Sequence, residues 1–184
     1  MNSLLRTSAG AAPVQKPRVF VSYHHGGDRD YYEALVTHAS DRLDLFADRS
    51  VRSAIDSDVP EYVRRRIREN HIKGSSCTLV LCGAQTHERK FVDWEIAATL
   101  DMQHGLVAVL LPTIQWVRSG ALMKLPTLNL PERLRDNVQS GYAECVDWPA
   151  IEQNPLTLAA AIVRARCALA YQISNDAPLK PRNG

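Results

Sequence analysis

Short apolar runs alternate along this chain with longer stretches in which apolar residues recur every three or four positions. Residues 18–23 (Arg-Val-Phe-Val-Ser-Tyr) are rich in β-branched and aromatic types and read as a strand. A helix is expected over about 28–43, with Tyr32, Leu35, Val36, Ala39 and Leu43 on one face and Asp28 as N-cap or first-turn acid. Residues 45–47 form a weak, short strand running into Asp48-Arg49-Ser50. Asp58-Val59-Pro60-Glu61 has the spacing of a capping box with a first-turn proline, and predicts a helix to about residue 70. Residues 77–82 and 106–111 are almost wholly apolar, as expected of strands covered on both faces. Between them, 90–103 has helical spacing. Beyond Pro112 the chain is irregular to Pro131, then predicts a short helix (132–139), a strand (142–148) and a closing helix (156–171).

Strand and helix thus alternate about five times, the pattern of an open parallel sheet with helices on both faces. The expectation is a single flavodoxin-like α/β domain of about five strands over residues 17–175, with loose tails at 1–16 and 176–184. A length of 184 residues with 45% apolar and 23% charged content suits one soluble domain of this kind. The net charge of +2 is too small to argue for a nucleic-acid partner, and Arg64, Arg65, Arg66 and Arg68, diluted by Glu61 and Glu69, read as a solvated helix face. The four cysteines form no CxxC pair and have no zinc spacing, so no metal site, no disulfide and a reducing, cytoplasmic setting are expected. No run approaches the roughly 18 apolar residues of a membrane span.

One residue breaks the pattern. On the 90–103 helix Phe91, Ala98 and Met102 share a side, with Val92, Ile96 and Thr99 around the same arc. Glu95 falls inside that arc, while Asp93 and Asp101 are expected to point away, toward solvent. A carboxylate on an apolar face needs a partner or a purpose, because burying it unpaired is costly. The structural alternative is pairing with an arginine such as Arg49 or Arg89. In open α/β sheets ligands bind beyond the carboxyl ends of the strands, where strand order reverses. That rule selects Ser22, Tyr23 and His24 after the first strand, Asp48 and Ser50 after the second, and Gln85 after the third. The chain lacks GxGxxG, GxxxxGK[ST] and GxSxG motifs, which argues against a dinucleotide-binding fold, a P-loop and a nucleophile elbow. A phospho-receiver needs an aspartate ending the third strand, where Gly83 stands. His24 and His25 are read as solvated loop histidines, and Trp94 is left open between packing and base stacking.

Taken in order, Val19-Phe20-Val21-Ser22-Tyr23-His24, Leu79-Val80-Leu81-Cys82-Gly83-Ala84-Gln85-Thr86 and Arg89-Lys90-Phe91-Val92-Asp93-Trp94-Glu95-Ile96 resemble a TIR-like domain. More narrowly, they resemble the ThsB-type proteins of the bacterial Thoeris anti-phage system. Catalytic TIR domains cleave the nicotinamide–ribose bond of NAD with a glutamate that follows an aromatic residue by four positions. The resemblance implies that Glu95 is catalytic and Phe91 the accompanying aromatic, with Ser22, Tyr23, His24, Asp48, Ser50, Gln85 and Phe91 as candidate substrate contacts. It implies NAD as substrate rather than cofactor, an ADP-ribose-derived signalling nucleotide as product, a separate effector protein that senses it, and scope for homo-oligomers. Two features depart from the usual pattern: Phe91-Val92 replaces Trp-Cys, and residues 48–58 differ from the common loop after the second strand. Two other readings fit the residues: a non-catalytic TIR-like adaptor, and a nucleoside deoxyribosyltransferase using a carboxylate nucleophile.

Overall fold

A computed structural model describes residues 16–47, 59–114 and 129–183. Five strands form one all-parallel sheet: β1 (Arg18–Ser22), β2 (Asp44–Phe46), β3 (Cys77–Cys82), β4 (Gly105–Leu110) and β5 (Glu144–Asp147), in the order β2-β1-β3-β4-β5. The helices are α1 (Arg29–Ala39), α2 (Pro60–Ile67), α3 (Lys90–Asp101), α4 (Glu132–Gln139), α5 (Trp148–Gln153) and α6 (Leu156–Arg166). This is the expected α/β architecture, and each strand foreseen is present to within a few residues.

Period-two alternation sorts the side chains of β1 between two cores. Val19, Val21 and Tyr23 join Leu79, Leu81, Val107 and Val109 beneath α1, α5 and α6. On the other face Val80, Cys82, Leu106 and Ala108 meet Val92, Ile96 and Leu100 of α3 and Leu134 of α4. Phe20 packs with Ile67, Ile72, Trp94 and Ala98 beside them. Every residue of β3 and β4 is buried, which accounts for their unbroken apolar sequence. β2 lies at the sheet edge and is part-exposed, which accounts for its weak signal.

The differences are local. The first helix stops at Ala39 and the last at Arg166, with a 3-10 turn at Ala170–Gln172. α2 passes into a π-helical turn, Arg68–Ile72. Trp148, expected in the last strand, instead opens α5, with Pro149 in its first turn. Arg65 is exposed and pairs with Glu69, but Arg68 reaches across to Asp101 of α3, so the basic stretch is not simply a solvated face. Residues 176–183, expected as a loose tail, lie against α3 through hydrogen bonds from Lys180 to Asp93 and from Trp94 to Lys180.

Gly105 opens β4 directly beneath α6. A Cβ there would sit 3.0 Å from both the Ala165 carbonyl carbon and the Arg166 nitrogen. Gly105→Val is therefore expected to force α6 off the sheet and lower stability by about 2 kcal/mol, read as a reduced urea midpoint.

Candidate active site

Strand order reverses between β1 and β3, so their carboxyl ends form the switch-point crevice of the sheet. Ser22 ends β1 opposite Val80 of β3. Its position in the alternation turns it away from Tyr23 and toward α3. There Ser22 Oγ donates to Glu95 Oε2 at 2.5 Å, within the range for a hydroxyl bonded to a carboxylate. Ser22 is 1% exposed and Glu95 7%, so the pair is shielded from water although Glu95 is ionisable. The main chain of Glu95 is held as well: Thr99 Oγ1 donates to its carbonyl at 2.8 Å and accepts from Thr78 Oγ1 of β3, also at 2.8 Å. The helix is thereby pinned to the sheet one turn beyond the carboxylate.

The other candidates are distributed differently. Tyr23 is buried in the opposite core, stacked between His25 at 4.1 Å and Tyr32 at 4.7 Å, and does not share the Glu95 face. The ring of His24 lies over Gly26 and Gly27, and its carbonyl accepts from the Gly27 and Asp28 amides. Gln85 is exposed and accepts from Arg89, which also pairs with Glu88. Phe91 is part-buried and meets the Trp94 ring edge-on at 5.2 Å, below Lys90. Asp48, Arg49 and Ser50 lie outside the described residues. Asp93 does not point to open solvent as expected; it neutralises the buried Arg133 at 3.0 Å.

A second buried carboxyl stands at the rim. Asp28 makes no side-chain cap on α1. It is 3% exposed and packs so closely on Gly83 that any Cβ there would clash with it. Burial pushes the Asp28 carboxyl above its ordinary value, against hydrogen bonds from Thr86 and the His24 backbone and the charge of Arg89. Thr86 Oγ1 accepts from the Gly83 amide and lies 3.0 Å from Asp28 Oδ2 and 3.1 Å from the Leu81 carbonyl. A hydroxyl has one proton, and both oxygens want it. Asp28 Oδ2 and the Leu81 carbonyl therefore share the Thr86 hydroxyl as donor. This clasp joins the β1–α1 loop to the β3–α3 loop. The sequence marks it only through Gly83, because Asp28 has the ordinary signature of a helix start.

Among the described residues no group of three or more His, Cys, Asp or Glu is placed to hold a metal ion, and no helix is long and apolar enough to cross a membrane.

The fold is that of a TIR-like α/β domain. The family profile described as "Thoeris protein ThsB, TIR-like domain" matches residues 20–115, more than half of the chain, and the chain belongs to that family. No curated protein matches it. Among solved structures it is similar to the TIR domains in the activated Roq1 resistosome directly recognizing the pathogen effector XopQ. The identity there is 14% and the TM-score 0.40, over 85% of this chain and 83% of that one.

A carboxyl whose value is raised in the folded state contributes stability below about pH 4 that is lost as pH rises through its folded value. Asparagine in place of this carboxyl removes the titrating group. Asp28→Asn is therefore expected to gain stability relative to the parent as pH rises from about 4 to 7, seen in the difference between their urea midpoints. A difference between the midpoints that stays constant over this range would mean that folding does not raise the Asp28 carboxyl.

Proposed function

We propose that this chain is an NAD-consuming enzyme: it cleaves the nicotinamide–ribose bond and builds an ADP-ribose-derived signalling nucleotide, cyclic or conjugated, in anti-phage defence. A separate effector protein senses the product, and the reaction takes place in the cytoplasm. The observation that carries this reading is Glu95, an acid held on the inward face of α3 at the switch point, with Ser22 on its Oε2. Membership of the ThsB TIR-like family supports it.

The chemistry asks little else of the protein. As the glycosidic bond lengthens, positive charge develops on the ribose. A carboxylate in a poorly hydrated crevice stabilises that charge far better than one in water. It can also accept hydrogen bonds from ribose hydroxyls that strengthen as the charge grows. Nicotinamide departs as a neutral molecule, so no general acid is needed to protonate it. Ser22 acts as a positioning group, fixing one carboxylate oxygen. Excluding water from the crevice favours attack by another part of the ligand, or by a second small molecule, over hydrolysis. NAD is the substrate, and no resident cofactor is required.

Purified protein incubated with NAD, alone and with lysate from phage-infected cells, should release free nicotinamide. Glu95→Gln should lower the rate by about 100-fold or more with the thermal midpoint unchanged, and Ser22→Ala by about tenfold. Mass spectrometry of the second product distinguishes a cyclic from a conjugated nucleotide. Nicotinamide release that Glu95→Gln leaves intact would overturn the assignment. A total absence of release would favour an adaptor. Base release from a deoxynucleoside with a covalent Glu95 adduct would favour a deoxyribosyltransferase.

A further inference from the structure

The segment after Ser174 runs as a strap along the outer side of α3. At about 100° per residue, Asp93, Ala97 and Asp101 lie about 160°, 200° and 240° around the helix from Glu95. The strap binds that ridge directly behind the carboxylate. Asn175 Nδ2 donates to the Ala97 carbonyl at 3.1 Å and to Asp101 at 2.8 Å. The Lys180 amide donates to Asp93 Oδ2 at 2.9 Å, and Trp94 Nε1 donates to the Lys180 carbonyl at 2.9 Å. Lys180 Nζ reaches the His87 carbonyl just before the helix. α3 has no side-chain N-cap of its own, and the amide of its first residue, Lys90, is capped instead by Asn183 Oδ1 at 3.0 Å.

Arg133 of α4 is the anchor. Its side chain is 1% exposed, and each of its five N–H groups has an acceptor. Nε donates to Asp93; Nη1 donates to the Asn175 carbonyl and side chain; Nη2 donates to the Ala177 and Pro178 carbonyls. Four of these five bonds go to the strap, so without it a buried guanidinium keeps only its bond to Asp93. Leu179 adds an apolar contact with the cluster of Phe20, Ile67, Ile72, Trp94 and Ala98. Between it and α4 lies a cavity of about 400 Å³ reached by His87, Arg135 and Lys180. A segment held mainly by directed polar bonds, with one leucine on the core and an incompletely filled interface beneath it, can be removed and replaced.

We propose that residues 175–183, anchored by Arg133, are a positioning element for Glu95: they grip the back of α3 so that its front face holds the carboxylate against Ser22. The kinetic part of this proposal rests on the NAD-cleaving reading, while the mechanical part does not.

The test is a chain ending at Ser174, with Asn175→Ala in the full chain as the milder variant. Truncation should speed amide exchange of residues 91–99 by about tenfold or more while β3 and β4 stay protected. It should lower kcat for NAD by about tenfold or more with KM changed less than about twofold. A synthetic peptide of residues 175–183 added in trans should restore both. Asn175→Ala should move exchange and kcat in the same direction with near-parental melting, and it alone decides if the truncated chain does not fold. Unchanged α3 exchange overturns the proposal. So does loosening spread equally over the whole sheet, or a failure of the peptide to rescue a folded truncated chain. If the parent chain releases no nicotinamide, the enzymatic reading falls, and the exchange and peptide results still decide the strap.

Discussion

An acid turned inward on a helix whose flanks are buried is the constraint around which this domain is arranged. The neighbours Val92, Trp94, Ile96, Ala97 and Ala98 are all buried, so Glu95 cannot reach open water by a change of rotamer alone. Its free energy must be balanced locally. Ser22 supplies a hydroxyl at the end of β1, and the all-parallel order with β1 beside β3 brings that hydroxyl under the helix that follows β3. A hairpin connection after β1 would place the next strand antiparallel and send the β3 crossover elsewhere. The sheet topology and the Glu95 environment are therefore one decision rather than two.

The residues that hold Glu95 do so from three sides with different chemistry. Ser22 meets the carboxylate itself. Thr78 and Thr99 hold the main-chain carbonyl of the same residue to β3 through two short hydroxyl bonds. Behind the helix, Asp93 and Arg133 form a buried ion pair that is balanced only because strap carbonyls occupy the remaining guanidinium donors. The inner contacts are neutral or singly charged and poor in water. The outer ones centre on a charged pair that the strap covers. Trp94 belongs to this outer set: its indole N–H is committed to Lys180 and its ring to Phe91, which answers with structure the choice between packing and base stacking.

Much of the fold was legible because burial on both faces writes itself into composition. A six-residue run such as Cys77–Cys82, with no exposed position, has few other interpretations once flanked by turn residues and helical periodicity. Glu95 was legible for the converse reason, as a charged residue on an apolar arc. Asp28 and the tail were not, and for a shared cause. A carboxyl before a helix is ordinarily a cap, and a stretch such as Asn175-Asp176-Ala177-Pro178-Leu179-Lys180-Pro181 has no periodicity to bury. Both are ordered by partners far away in sequence: Thr86 for Asp28, and Arg133 and Asp93 for the tail. Local pattern cannot announce a bond whose other half lies about 40 or more residues away, least of all when the acceptors are backbone carbonyls that every residue possesses.

The departures from the usual TIR motif are of the same kind. In place of Trp-Cys this chain has Phe91-Val92, and each has a structural use. Val92 fills the core shared with Ile96 and Leu100, while Phe91 closes against Trp94 and the Phe20 cluster. Neither side chain carries a group that takes part in breaking a glycosidic bond. What the motif has to preserve is the direction of the glutamate, and direction is a property of the helix that carries it. In this chain the hydroxyl of Ser22, the threonine pair and the buried ion pair set the direction of that helix, so the proposed chemistry depends on them and not on the aromatic beside the acid.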